Sequence, residues 1–225
     1  MKKTAIILFA DLPGFEAKKK SLSNFSSQKA TEKLSQTLTQ HFYNLAKQSA
    51  AETFLIDTYH QKGKSFGERI TNAFIDVYAK GYENVICIGN DCLDLSLELL
   101  QKSIVQVENN NVVLGPTFDG GAYLIGIPIA NFDLIKFQNI NWQNTTTFKN
   151  LQDLFYPDYV KLEVLVDVDY QHDFSFTKKD NPLLKVLLTV IKSFINSSNF
   201  SRKPLKAAFF HIDSAFLKGP PLFSI

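Results

Sequence analysis

Cysteine, methionine and tryptophan are nearly missing from this chain: its 225 residues contain two, one and one of them. Two cysteines cannot build a disulfide framework. Cys87 and Cys92 also fit no zinc spacing, because two further ligands are lacking. Reduced thiols in a cytoplasmic protein are the plain reading. An excess of one charge is missing too. Lys and Arg number 24 against 22 Asp and Glu, a formal net charge of +2, so composition implies no polyanion-binding face and no nucleic-acid partner. No segment has the roughly 18 apolar residues of a membrane span. The nearest, Pro182–Ile195, is interrupted by Lys185 and Lys192, so no transmembrane segment is expected. Lys2 and Lys3 before the apolar run Ala5–Ala10 imitate a secretory leader. That run is short and meets Asp11 and Pro13 without a small-residue cleavage site, so it reads as a first buried strand. The four histidines are scattered with no His-x-x-x-His pair, which argues against zinc. No G-x-S-x-G elbow and no G-x-x-x-x-G-K-[ST] loop is present.

What is there is ordinary globular material, 45% hydrophobic and 20% charged, in an alternating pattern. Thr4–Phe9 reads as a strand, then a polar loop from Asp11 to Phe25. Ser27 is placed to cap a helix from Gln28 to about Lys47, with Leu34, Leu38, Phe42 and Leu45 on one face. Glu52–Asp57 is a second strand, and Gly67–Ala79 a helix with Ile70, Ala73, Phe74 and Val77 inward. Val85–Gly89 is a strand, and Ser96 caps a helix to about Val107. Asn111–Leu114 and Ala122–Ile127 are strands around a Phe-Asp-Gly-Gly turn. A helix from Thr145 to about Phe155 and a strand Tyr159–Val166 follow. Alternation of this kind predicts an α/β fold in three layers around a mostly parallel, mixed sheet. Character changes at Lys178–Pro182, so residues 1–178 are expected to form the main domain. Residues 179–225, an apolar helix and a Phe/Pro-rich tail, form an appendage that packs on the core or across a homodimer. A membrane-surface role for that helix is the alternative, with Lys185, Lys192, Arg202 and Lys203 as its basic residues.

Several apolar runs end abruptly in acidic or glycine-rich chemistry. In open α/β sheets the carboxyl ends of the strands are where ligands bind. Asp91, Asp94 and Asp119 are therefore expected to converge on one crevice. Asp91 follows the third strand and is placed to hold Mg²⁺ or Mn²⁺ against a diphosphate, since hard cations take oxygen ligands. Asp169 is expected to supply the second protein oxygen, with Asp167 as its rival. The plainer role for Asp94 is a charge or cap at a helix start. Asp119-Gly120-Gly121 is a turn signal that also suits a crevice wall, because paired glycines let a ligand approach the backbone. Asp119 is the candidate catalytic residue, and Gly120 and Gly121 face the acceptor. The loop carrying Pro13, Gly14 and Lys20 lies where loops wrap a nucleotide. Gln61, Gly67 and Arg69 form a polar cluster entering a helix. Arg69 there opposes the helix dipole, so an ion pair or a phosphate is needed to explain it.

These blocks resemble a bacterial family of small transferases with the GT-A-like fold of nucleotide-diphospho-sugar transferases. Some of its members are arsenosugar-biosynthesis-type or selenodomain-associated glycosyltransferases. The resemblance rests on Leu12-Pro13-Gly14, Gln61 through Ile70, Gly89-Asn90-Asp91-Cys92-Leu93-Asp94-Leu95, Val113 through Gly126, and Asp167-Val168-Asp169 with Asp173. It implies a nucleotide-activated donor at the sheet's carboxyl edge, a divalent cation on Asp91 with Asp169 beside it, and a small-molecule acceptor. Glycosyl transfer is the leading expectation. Nucleotidyl transfer with pyrophosphate release is the second. A non-catalytic nucleotide- or partner-binding protein is the third, motivated by departures from the pattern. The lysine triplet Lys18-Lys19-Lys20 replaces K-T-R-L, Leu93 replaces a proline, and Ala122 replaces a tyrosine.

Overall fold

Six short segments pair into one sheet whose four inner strands are buried on both faces and whose two edge strands are partly exposed. In this computed structural model, which describes residues 3–19 and 28–197, they are β1 (Thr4–Phe9), β2 (Glu52–Ile56), β3 (Asn84–Ile88), β4 (Val112–Pro116), β5 (Ala122–Pro128) and β6 (Tyr159–Lys161). The strand order is β2-β1-β3-β5-β4-β6. β1 pairs parallel with β2 and β3, and β4 with β6, while β5 runs antiparallel between β3 and β4. The expected mixed, mostly parallel sheet is therefore present.

Among the described residues seven α-helices flank it: α1 (Pro13–Lys19), α2 (Gln28–Gln48), α3 (Phe66–Tyr78), α4 (Leu97–Glu108), α5 (Leu134–Gln138), α6 (Thr147–Phe155) and α7 (Pro182–Ser197). Two apolar clusters divide them into layers. Ile6, Leu8, Ile86 and Ile88 bury one sheet face with Leu34, Leu38 and Phe42 of α2, Leu100 of α4, and Leu183, Leu187 and Ile191 of α7. Ala5, Ile7, Val85 and Leu114 bury the other with Phe74 of α3, Phe137 of α5 and Leu151 of α6. No helix among the described residues is long and apolar enough to cross a membrane.

Start signals fix the helix positions. Ser65 and Glu68 form a reciprocal capping box on α3, and the Ser96 hydroxyl accepts from the Leu99 N–H on α4. Two expectations are corrected. The segment after β1 is not all loop: Pro13 opens α1, and the Phe15 and Glu16 N–H groups bond the Leu12 carbonyl. Proline is pre-set for a first helical position, and that outweighed the polar composition. The last strand stops at Lys161 rather than Val166, although Thr117 and Leu165 still form an isolated parallel bridge. The expected Ser27 cap lies outside the described residues.

Candidate functional site

The carboxyl ends of β1 and β3 and the β4–β5 turn open into a cleft of about 450 Å³. It is lined by Asp11, Glu16 and Lys19 from the α1 side, by Gln61 and Arg69 at α3, and by Asn90 and Asp91 beyond β3. Asp119, Gly121 and Tyr123 come from the β4–β5 hairpin, and Trp142 to Thr145 from the segment before α6.

The α1 side is tied to β2. Lys19 Nζ lies 2.5 Å from Asp11 Oδ2, and the Thr58 hydroxyl donates to Asp11 Oδ1 at 3.2 Å. Glu16 is a buried carboxylate, 3% exposed, that accepts from Asn90 Nδ2 at 3.2 Å. The same Asn90 amide donates to the Thr39 hydroxyl at 3.0 Å, so one side chain joins α1, α2 and the end of β3.

Gln61 donates to the Ala10 and Ile56 carbonyls at the ends of β1 and β2, at 3.1 and 3.4 Å. Its Oε1 accepts from Arg69 Nε at 3.1 Å. Arg69 also reaches the Lys64 carbonyl and lies over the Phe66 ring. Among the described residues Arg69 pairs with no carboxylate, so its charge is held at the cleft by neutral partners. The ion pair that would offset a cation placed against the helix dipole is therefore absent among the described residues.

The acidic corner is built by the backbone. The Val168 N–H donates to the Asp91 carbonyl at 3.0 Å, which joins the Asp-Val-Asp segment to the end of β3. Burial first, and then the negative charges of Asp119, Asp91 and Asp169, push Asp167 up to about 7. Four carboxylates from three parts of the chain thus act on one region. The Asp169 N–H and the Tyr170 N–H both donate to Asp173 Oδ2, fixing the exit of this loop.

The hairpin turn is equally determined. Asp119 Oδ1 accepts from the Gly121 N–H and the Thr117 hydroxyl, and the Gly120 N–H bonds the Thr117 carbonyl. Gly120 has φ +91°, and an added Cβ would run into the Thr145 carbonyl. Its own carbonyl accepts from the Phe148 N–H at 2.8 Å. Glycine is required here on both counts, and the turn is locked against the start of α6.

The sequence candidates fall into three groups. Asp91, Asp119, Gly121, Gln61 and Arg69 line the cleft. Asp169 does not line the cleft and is linked to Asp91 through their shared influence on Asp167, and Gly120 supports the cleft from behind. Pro13 and Gly14 begin α1 without lining the cleft, and Gly67 is buried in α3, where a Cβ would meet the Gln138 carbonyl and the Trp142 ring. Lys20 lies outside the described residues. Asp94 does not join the acidic corner: it accepts from the Lys178 N–H and from Asn181 Nδ2 and so anchors the start of α7. The sequence pattern does not single out Glu16, Asn90 or the Trp142–Thr145 wall. Pro13 is the one local signal for the first pair, because it starts the helix that buries Glu16.

Residues 26–144 match the profile of the DUF2064 family, described as an uncharacterized protein conserved in bacteria. The chain belongs to that family. No curated protein matches it. Among solved structures, a presumed nucleotide-diphospho-sugar transferase from Desulfovibrio desulfuricans G20 superposes with a TM-score of 0.72 at 21% identity, over 86% of this chain and 99% of that one. The family member thus has the nucleotide-diphospho-sugar transferase fold. A mycobacterial homologue of Rv0371c, from strain JC1, aligns at 12% identity over 84% of this chain and 98% of its own, with a TM-score of 0.44. Rv0371c of Mycobacterium tuberculosis H37Rv, solved with manganese, aligns at 12% identity over 78% and 97%, with a TM-score of 0.40. At those scores neither bears on the chemistry of this chain.

Proposed function

We propose that this chain is a metal-dependent glycosyltransferase, of the arsenosugar-biosynthesis or selenodomain-associated kind, that moves a sugar from a nucleotide-diphospho-sugar to a small-molecule acceptor. The observation that carries this reading is that Asp91 lines the same cleft as Arg69 and is joined through its backbone carbonyl to the Asp167–Asp169 segment at the carboxyl edge of the sheet.

The donor set suits a cation that is shared with phosphates. Among the described residues no three His, Cys, Asp or Glu side chains are grouped so as to hold a metal ion alone. Mg²⁺ characteristically uses one or two carboxylates and completes its shell with water and phosphate oxygens. Asp91 and Asp169 are the residues that would hold it, with Asp167 next in line. Burial and then the neighbouring carboxylates disfavour the charged form of Asp167, and a cation would relieve the second of these. Bound there, Mg²⁺ or Mn²⁺ would neutralise the diphosphate and the charge that builds on the leaving oxygen.

The protein groups then have separable tasks. Arg69, oriented by Gln61, meets the donor phosphates from the α3 side. Asp119 stands at the acceptor end, with one oxygen committed to its own turn. Its carboxylate is the group available to take the proton from an attacking acceptor hydroxyl. Gly121 leaves the backbone bare beside it.

Product analysis tests the assignment. With a panel of sugar nucleotides and Mn²⁺ or Mg²⁺, release of nucleoside diphosphate is the expected result. Pyrophosphate released from a nucleoside triphosphate and a sugar phosphate would replace glycosyl transfer by nucleotidyl transfer. Binding without turnover would leave the non-catalytic reading.

A further inference from the structure

Two walls of the cleft differ in chemistry. The side from α1 and α3 holds Asp11, Glu16, Lys19 and Arg69. The wall made by residues 142–147, which meets α3 where Trp142 packs on Phe66, has no ionisable side chain: it reads Trp-Gln-Asn-Thr-Thr-Thr. Gln143, Asn144 and Thr145 are exposed and line the cleft, and Trp142 is half-buried behind them.

Most of this wall is occupied with its own construction. The Trp142 indole N–H donates to the Phe137 carbonyl at 3.1 Å, and its ring packs on Phe66 and Phe137. Asn144 Oδ1 accepts from the Thr146 N–H, and the Thr147 hydroxyl bonds the Asn144 carbonyl at 2.7 Å. Gln143 is the exception. Among the described residues no group bonds its amide, although its backbone holds φ +57°, a region that side-chain-bearing residues rarely enter. The wall is also fixed relative to Asp119, because Gly120 packs on the Thr145 carbonyl.

A carboxamide offers two donors and an acceptor, and a threonine hydroxyl offers both roles. Uncharged groups of this kind, beside an aromatic ring, match a ligand that is neutral and hydroxyl-rich and would gain nothing from a charged partner. We infer that residues 142–145 form the subsite for the sugar ring of the donor, with the Gln143 amide as its specificity-determining contact. This rests on the transferase reading and adds to it which wall reads the sugar.

Paired ligands separate the two claims. Affinities are measured by calorimetry with Mn²⁺ for UDP and UDP-glucose, GDP and GDP-mannose, ADP and ADP-glucose, and dTDP and dTDP-glucose. For the pair that binds, the sugar conjugate should be the tighter ligand. Gln143→Asn tolerates positive φ but shortens the reach, and Gln143→Gly relaxes the backbone and removes the amide. Each should weaken the conjugate about tenfold, the loss of roughly one hydrogen bond, and leave the parent diphosphate unchanged. Melting temperatures at or above that of the unmodified chain would show both variants folded. Equal weakening of conjugate and parent, no weakening of either, or no preference of the unmodified protein for any conjugate overturns the subsite. Failure of every diphosphate to bind overturns the transferase reading, and the subsite with it.

Discussion

At the scale of single residues, Asp119 has two duties that one substitution can separate. Its Oδ1 accepts from the Gly121 N–H and the Thr117 hydroxyl, and an asparagine Oδ1 can accept the same two bonds. Asp119→Asn should therefore keep the turn and lose only the charge. Turnover is expected to fall by about 10²–10⁴-fold, the usual range for a missing general base. Donor affinity from a binding titration should stay within about threefold, because a group acting in the transition state contributes little to ground-state binding. Equal losses in both measurements would leave Asp119 as a turn residue only. Asp91 and Asp119 were legible in the sequence because each lies just beyond an apolar run that ends at the sheet's carboxyl edge. The special position of Asp167 was not legible. Asp167-Val168-Asp169 is symmetric as a string, and what distinguishes its members is the Val168 N–H bond to the distant Asp91 carbonyl. Glu16 was hidden for a similar reason: Pro13 marks the start of its helix, but the Asn90 amide that bonds the buried carboxylate comes from the end of another strand.

At the scale of elements, periodicity located the strands and long helices to within a residue or two, since burial on one or both faces governs them. It failed where length or context governs instead. α1 and α5 have seven and five residues, too few for an amphipathic period to register. β6 breaks off because the chain leaves the ladder after Lys161 and returns only for the bridge at Leu165. Two glycines measure how much of a turn's demand is conformational and how much is contact. Gly81 has φ +88° with nothing within 4 Å of a built Cβ, whereas Gly120 has φ +91° and meets the Thr145 carbonyl. Gly81→Ala should cost about 1–2 kcal/mol in urea unfolding, the strain of the left-handed backbone alone. Gly120→Ala should cost about 1–3 kcal/mol more, for overpacking against a rigid carbonyl. Equal costs would mean that the Thr145 segment yields freely, and the lock between the turn and α6 would be discounted.

α7 supplies a pH dependence at the same scale. His41 of α2 lies where α7 docks, in a groove with Lys33, Gln36 and Asn44 of its own helix and Pro182, Leu183 and Val186 of α7. Burial lowers its pKa below 6.5, so the folded protein binds fewer protons there than the unfolded chain does. The associated stability is complete above pH 6.5 and is lost as the pH falls through the depressed folded value. Melting curves between pH 7.5 and about 5 should therefore show a decline that is smaller in His41→Gln. Superimposable slopes for the two proteins would remove His41 as the cause.

At the scale of the whole molecule, β5 runs against its neighbours in the middle of the sheet, and this decides where the acidic groups collect. Because β5 returns antiparallel, the β4–β5 turn opens at the same edge as the end of β3, bringing Asp119 toward Asp91. The parallel β6 then delivers Asp167 and Asp169 to that edge from the far side of β4. Burial first, and then this concentration of like charge, disfavours the ionised form of Asp167 and raises its pKa. An anionic nucleotide should therefore bind weakly by itself and strongly with a divalent cation. A ligand specific to the folded state stabilises by about 2.7 kcal/mol at a hundred times its Kd. For a domain of this size that corresponds to about 5–10 °C in Tm. Nucleotide with Mn²⁺ should reach that shift, either alone should fall well short, and EDTA should reverse it. Asp91→Ala should abolish the joint effect while its ligand-free Tm stays close to that of the unmodified chain. A shift that survives EDTA or the Asp91 substitution would mean that the nucleotide is held by Arg69 and the β1–α1 side without a metal at the acidic corner.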